Sequence, residues 1–211
     1  SRITRENVEA EGCQRIDQYR DQQRSEGEFA RRERKDDKGE DEDDGERAED
    51  ALRLLRALRF AVHTGFEIHS ATWDALCADA ALIRQVSPER VRDEFSKIMT
   101  HSSRRMGIEL LVDSGLMEFV IPEFLDLQGC EQPPQFHPEG DVYVHTLMML
   151  ELLGDNPSLE LALSVLLHDI AKPPTFSIDE TGRIRNSGHD RVGARMSEDI
   201  LLRLRYINQV I

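Results

Sequence analysis

The sequence predicts an all-α protein: two helical bundles with one small β-hairpin, preceded by a charged arm. Three observations carry this. From Glu49 onward apolar residues recur at helical spacing, helix-start and helix-stop signals punctuate the chain, and only one short stretch has a strand-turn-strand pattern. The first 46 residues are rich in charge and glutamine, hold few aliphatics and show no sustained period. Such a segment buries too little apolar surface to offset its ordering entropy, so a disordered or weakly helical arm is expected.

In EDALRLLRALRFAVHTGFEI, Leu52, Leu55, Leu58 and Val62 share one face with arginines between them, which predicts a helix. A second is expected over 71–84 after the cap-like Ser70. A third, over 88–99, opens with Ser87-Pro88-Glu89, where serine caps and proline takes the first turn. A fourth runs over 103–113 and stops at Asp113-Ser114-Gly115, and a short apolar helix reaches Val120. A loop holding Gly129, Pro133, Pro134 and Pro138 separates this bundle from the next. Helices over 141–153, 158–171 and 189–206 follow, with TFSIDETGRIRN read as a hairpin around Glu180-Thr181-Gly182. The expected organisation is an arm over 1–46, a helical body over 47–127 and a second helical domain over 128–211.

The net charge of −14 over 211 residues argues against a protein that coats nucleic acid non-specifically, and no DNA partner is expected. Half of that charge lies in the first 50 residues, so the helices can still carry a locally basic face. No apolar run is long enough to span a bilayer, and the default expectation is a cytoplasmic protein without a membrane partner. Three cysteines without CxxC spacing indicate neither a disulfide framework nor a zinc knuckle.

Chemistry is concentrated in LSVLLHDIAKP. An adjacent His168 and Asp169 inside an apolar run need a partner, because an unpaired buried charge costs several kcal/mol. The candidates are a metal, a phosphate or neighbouring side chains. His145 lies on the apolar segment VYVHTLMMLELL, and His189 opens the last helix. Imidazoles and one carboxylate drawn from different helices suit a divalent metal with open positions, which would activate water for phosphoester hydrolysis. His145, His168, Asp169 and His189 are the candidate ligands, with His168, Asp169 and Lys172 as the catalytic group. Lys172, one turn after His168, can hold a phosphate, and His137 is a further possible phosphate contact.

This H…HD pattern resembles the HD superfamily of metal-dependent phosphohydrolases, which implies Mg²⁺, Mn²⁺, Co²⁺ or Ni²⁺ as cofactor. That family adds an aspartate from a later helix, and the 211 residues end before one is evident. Asp199 reads as solvated.

On the first helix, Asp50 and Arg53 share a face at i, i+3, and an acceptor beside a planar donor fork can read a nucleobase edge. The same residues equally describe an acidic helix start with solvated arginines. Glu49-Asp50-Ala51-Leu52-Arg53, with LLRALRFAVHTGFEI, SPERVRDEFSKIM and RRMGIELLVDSGLMEFVIPEF, is similar to the neck and body of bacterial class II CCA-adding tRNA nucleotidyltransferases and their poly(A) polymerase relatives. The resemblance covers about 49–211 in order, including the HD segment. It implies that Asp50 and Arg53, supported by Glu49, pair with incoming CTP or ATP, and that a tRNA or other RNA 3′ end is the partner. Arg56, Arg59, Arg104 and Arg105 are the candidate RNA phosphate contacts. The family polymerises through a head with a glycine-rich loop and a strand-borne DxD pair. Asp41-Glu42-Asp43 has those letters but lies in a solvated acidic run, so this chain alone is expected not to polymerise. Two functions follow: HD-type phosphohydrolysis of nucleotides or RNA ends, or a non-catalytic RNA-binding module serving a separate nucleotidyltransferase head.

Overall fold

The computed structural model describes residues 44–133 and 140–206, with the side chains of 44–48 and 50 left undescribed. The arm, including Asp41-Glu42-Asp43, lies outside the described residues apart from its last three positions, and so do His137 and the side chain of Asp50. The first helix begins at Asp44, a few residues before the expected start.

Helix α1 (Asp44–Thr64) buries Ala51, Leu52, Leu55, Leu58, Ala61 and Val62 and exposes Arg53, Arg56 and Phe60, as its 3.6-residue period dictates. It ends where Gly65 takes φ +71° and its N–H bonds to the Ala61 carbonyl, a left-handed cap that glycine adopts without strain. Helix α2 (Ser70–Asp79) is shorter than expected and passes into a 3-10 turn over Ala80–Gln85. Its cap is the His69 ring, which accepts from the Ala71 N–H, while Ser70 is already helical. Helix α3 (Pro88–Met99) begins as expected, but Ser87 makes no side-chain cap bond and Pro88 alone favours the start.

Helix α4 (Arg104–Asp113) crosses α1 and α3 at Gly107, where a Cβ would lie 2.3 Å from Ile98 Cγ2 and 3.3 Å from Val62 Cγ2. Only glycine permits this approach. Helix α5 (Met117–Val120) and a 3-10 turn over Pro122–Leu127 complete the first bundle.

Helix α6 (Val142–Leu152) is capped by Asp141, whose carboxylate accepts from Val144 N–H at 2.9 Å and from Gly129 N–H at 2.7 Å, tying the preceding loop to the helix start. Helix α7 (Leu159–Leu167), capped by Ser158, ends four residues before the expected position. Pro173 has no N–H to give the Asp169 carbonyl, so the Lys172 N–H takes it at 3.0 Å and the chain tightens into a turn. Helix α8 (Lys172–Thr175), the hairpin β1 (Ser177–Ile178) and β2 (Ile184–Arg185), and helix α9 (His189–Arg203) follow. The strands pair antiparallel, Ser177 with Arg185 and Ile178 with Ile184.

The fold is thus all-α with one small hairpin. Residues 44–206 fall in one compact unit, and a continuous apolar core runs from Leu55 and Phe95 through Phe124 to Leu166 and Leu201. Among the described residues no helix is long and apolar enough to cross a membrane.

Candidate metal centre and arginine-bearing face

Pro173 favours the turn after α7, where His168, still helical at the C-cap, and Asp169 approach His145 of α6 and His189 of α9. One donor atom each from His145, His168 and Asp169 lies within 4.8 Å of the other two. Asp169, 4 % exposed, is the hub. Its Oδ2 is 3.0 Å from His168 Nε2, 3.9 Å from His145 Nε2 and 2.7 Å from the Lys172 ammonium, and its Oδ1 is 3.9 Å from His189 Nε2. His189 therefore approaches the same carboxylate from α9, although it stands outside the tight group of three.

Electrostatics follow from these contacts. Burial alone would raise the Asp169 pKa, but the hydrogen bonds from His168 and Lys172 outweigh it and hold the carboxyl well below the usual range. Burial pushes His168 down, yet its bonds to Asp169 and to the Val165 carbonyl win and raise it.

Backbone carbonyls fix two of the rings. His168 Nδ1 is 2.7 Å from the Val165 carbonyl, and His189 Nδ1 is 2.8 Å from the Asn186 carbonyl. A carbonyl oxygen only accepts, so each Nδ1 carries a proton and each ring presents its Nε2 to the carboxylate side. For His168 that nitrogen faces a carboxylate oxygen at 3.0 Å. Two acceptors at this distance require a proton or a cation between them. Two imidazole nitrogens and a carboxylate, with the Val165 carbonyl orienting the His168 ring, are a donor set that fits a divalent metal ion.

Lys172, expected to face a phosphate, is instead turned inward and 9 % exposed. Its ammonium contacts Asp169 Oδ2 and donates to Gln132 Oε1 at 2.6 Å. Sequence reasoning missed Gln132, and nothing in CEQPP distinguishes it from a solvated loop residue.

The arginines separate into two groups. Arg104, expected to meet RNA, is fully buried: Nε donates to the Met99 carbonyl at 3.1 Å, Nη1 to Leu150 at 2.9 Å and Nη2 to Gly154 at 2.7 Å. It cannot reach a phosphate, because it satisfies the C-terminal carbonyls of α3 and α6. Its neighbour Arg105 is half-buried and pairs with Glu109 and Glu151. On α1, Arg53 and Arg56 are exposed; Glu49 pairs with Arg90 of α3 and lies 3.7 Å from Arg56, and Arg59 lies 3.2 Å from the buried Glu94. Arg56 and Arg90 thus share the carboxylate of Glu49, and Arg59 and Lys97 that of Glu94, which with the exposed Arg53 makes a locally basic face on an acidic protein.

The chain thus joins a helical body with a basic face to a cluster of two histidines and an aspartate, an architecture similar to an RNA-binding-type bundle followed by an HD domain. Residues 65–127 match the family described as the probable RNA and SrmB-binding site of polymerase A, and residues 142–211 match the HD domain family. Over 121 residues the chain is 40 % identical to the A-adding tRNA nucleotidyltransferase of Deinococcus radiodurans, a stretch covering 56 % of this chain and 27 % of that enzyme. Through these segments the chain is similar to members of the tRNA nucleotidyltransferase and poly(A) polymerase family. It spans about a quarter of the length of the relative it matches.

Proposed function

We propose that the protein hydrolyses phosphate esters on nucleotides or RNA ends at the HD turn, using a divalent metal, and engages a tRNA or other RNA 3′ end through its helical body. The observation that carries the first part is the convergence of donor atoms from His145, His168 and Asp169 within 4.8 Å, with His168 Nε2 turned toward the carboxylate because its Nδ1 is engaged by the Val165 carbonyl. When bound, the metal would lower the pKa of a coordinated water and polarise a phosphoryl oxygen. His145 on α6 and the pair His168-Asp169 would hold it. Lys172 balances the buried carboxylate from within, and Gln132 keeps that ammonium in place. A cleft of about 340 Å³ opens beside His168, lined by residues of α7 and α9 that include Ser164, Asp190 and Ser197. It offers room for the non-reacting part of a substrate.

The decisive measurement combines metal content with phosphate release from phosphomonoesters and 2′,3′-cyclic nucleotides in Mg²⁺, Mn²⁺, Co²⁺ or Ni²⁺. About one equivalent of metal and a turnover that both vanish in His168→Ala and Asp169→Ala are expected. Protein that holds no metal and releases no phosphate under any of these ions removes the hydrolase reading.

The basic face of α1 favours a second reading, a non-catalytic RNA-binding module on which Asp50 and Arg53 retain a nucleotide-pairing role with CTP or ATP. It expects tRNA affinity that falls steeply with salt and needs no metal. Absence of binding at low salt ends it.

A further inference from the structure

The C-terminal end of α1 carries an unusual density of accessible rings. Phe60 is 52 % exposed and Phe66 76 % exposed, and the two are linked through Thr64, whose hydroxyl donates to the Phe60 carbonyl and accepts from the Phe66 N–H. The Arg59 guanidinium lies 4.5 Å from the Phe60 ring centroid. Beside them the exposed His63 ring stacks on that of His101, centroids 4.4 Å apart and planes 23° apart, while His63 Nε2 lies 3.3 Å from the Lys97 carbonyl. Scattered exposed apolar residues are ordinary on a soluble surface, whereas several rings gathered at one helix end need an occupant.

Position along α1 identifies that occupant. Residues 53, 56, 60 and 63 recur at spacings of three and four, so the arginines and the rings form one stripe, cationic toward the middle of the helix and aromatic toward its end. The helix C-terminus carries partial negative charge, which disfavours phosphate there but accepts a base with its amino groups. The cationic part suits phosphates. A polymer with anionic linkages and planar faces at regular intervals, single-stranded nucleic acid, matches both halves, and aromatic faces stack on bases without reading their sequence.

We infer that Phe60, Phe66 and the stacked pair His63 and His101 form a base-stacking platform for the unpaired 3′ tail of an RNA whose phosphates follow Arg53 and Arg56. This rests on the RNA-binding reading above and locates it. Phe60 and His63 precede the segment matched by the RNA-binding family, so that match does not itself assign them.

The test is fluorescence anisotropy of the whole chain with a labelled 12-nucleotide oligoadenylate across a salt series. Phe60→Leu/Phe66→Leu keeps apolar surface and removes the π faces. It should weaken binding roughly tenfold at every salt concentration without altering the salt slope, since leucine offers no π face for a base to stack on. Phe60→Trp/Phe66→Trp should restore affinity, and Ile178→Ala, an exposed apolar residue on the hairpin, should leave it unchanged. Arg53→Gln/Arg56→Gln should flatten the slope. If the leucine variant binds like wild type while the glutamine variant weakens, RNA is held by its phosphates alone: the RNA reading stands and the platform falls. If the leucine variant leaves RNA affinity intact and alters self-association, the rings serve a protein contact and the inference is overturned. Wild-type protein that binds no oligonucleotide at low salt removes the RNA reading and the platform together.

Discussion

The Lys172 ammonium sits 2.7 Å from Asp169 Oδ2, on the same oxygen that His168 Nε2 approaches at 3.0 Å. This lysine and His168 together balance the carboxylate, and both Lys172 and Asp169 are at least nine-tenths buried. Lys172→Met should therefore cost the metal-free protein about 3–5 kcal/mol, the usual consequence of stranding a buried charge. A divalent ion should return part of that loss. Denaturant melts with EDTA and with Mn²⁺ check this: a variant as stable as wild type in EDTA would show that Asp169 finds its balance elsewhere.

Arg104 is a structural residue. Its three carbonyl partners come from Met99, Leu150 and Gly154, and Arg104→Met would leave all three oxygens buried without that donor. Removing charge-assisted bonds of this kind should destabilise the fold by about 3–5 kcal/mol in total. Arg104→Lys should recover little, since one point donor cannot match a planar fork. The variant that remains folded at low temperature should bind RNA as wild type does. A selective loss of RNA affinity with normal stability would contradict the buried placement.

Gly107→Ala tests the closest helix contact. Its Cβ would fall 2.3 Å from Ile98 Cγ2, a branched methyl that cannot swing aside in a packed core. Overpacking of this kind costs about 1–3 kcal/mol. Adding Ile98→Ala should make the pair of changes less damaging than their sum, because each relieves the other. Strict additivity would mean that the helices move apart instead.

Glu123 and Arg203 supply a pH-dependent link between the 3-10 turn and α9, through two bonds of 2.8 and 2.7 Å. Burial favours the neutral acid, but Arg203 outweighs it and the Glu123 pKa is lowered from 4.5. A depressed carboxyl contributes stability above its unfolded pKa and loses it as pH falls through the folded one. Both side chains are partly solvated, so screening limits the contribution to about 0.5–1 kcal/mol. Wild type should lose stability more steeply than Glu123→Gln below about pH 4.5, and parallel curves would exclude the link.

Much of the fold follows from local pattern. The buried face of α1, the proline start of α3, the Asp113-Ser114-Gly115 stop and the hairpin around Thr181 are properties of a few consecutive residues, and all are present. The early end of α7 was also within reach of the sequence, since Pro173 removes the N–H that would bond to Asp169. The apolar run, which continues to Ala171, masks that stop.

Arg104 and Arg105 mark the limit of such reading. They are adjacent, identical and equally basic, yet one is fully buried and the other reaches the surface. A helix turns about 100° per residue, so one of the pair must face inward, but the carbonyls that make burial tolerable belong to residues 46 and 50 positions later. The same holds for Gln132 on Lys172, 40 positions apart. By itself the sequence determined the helical class, the order of elements and the His-Asp turn, because periodicity, capping and proline chemistry act over a few residues. Only the tertiary structure decided which cations are buried and which face outward, and which imidazoles meet the carboxylate. Those outcomes depend on partners that chain folding brings together from distant positions.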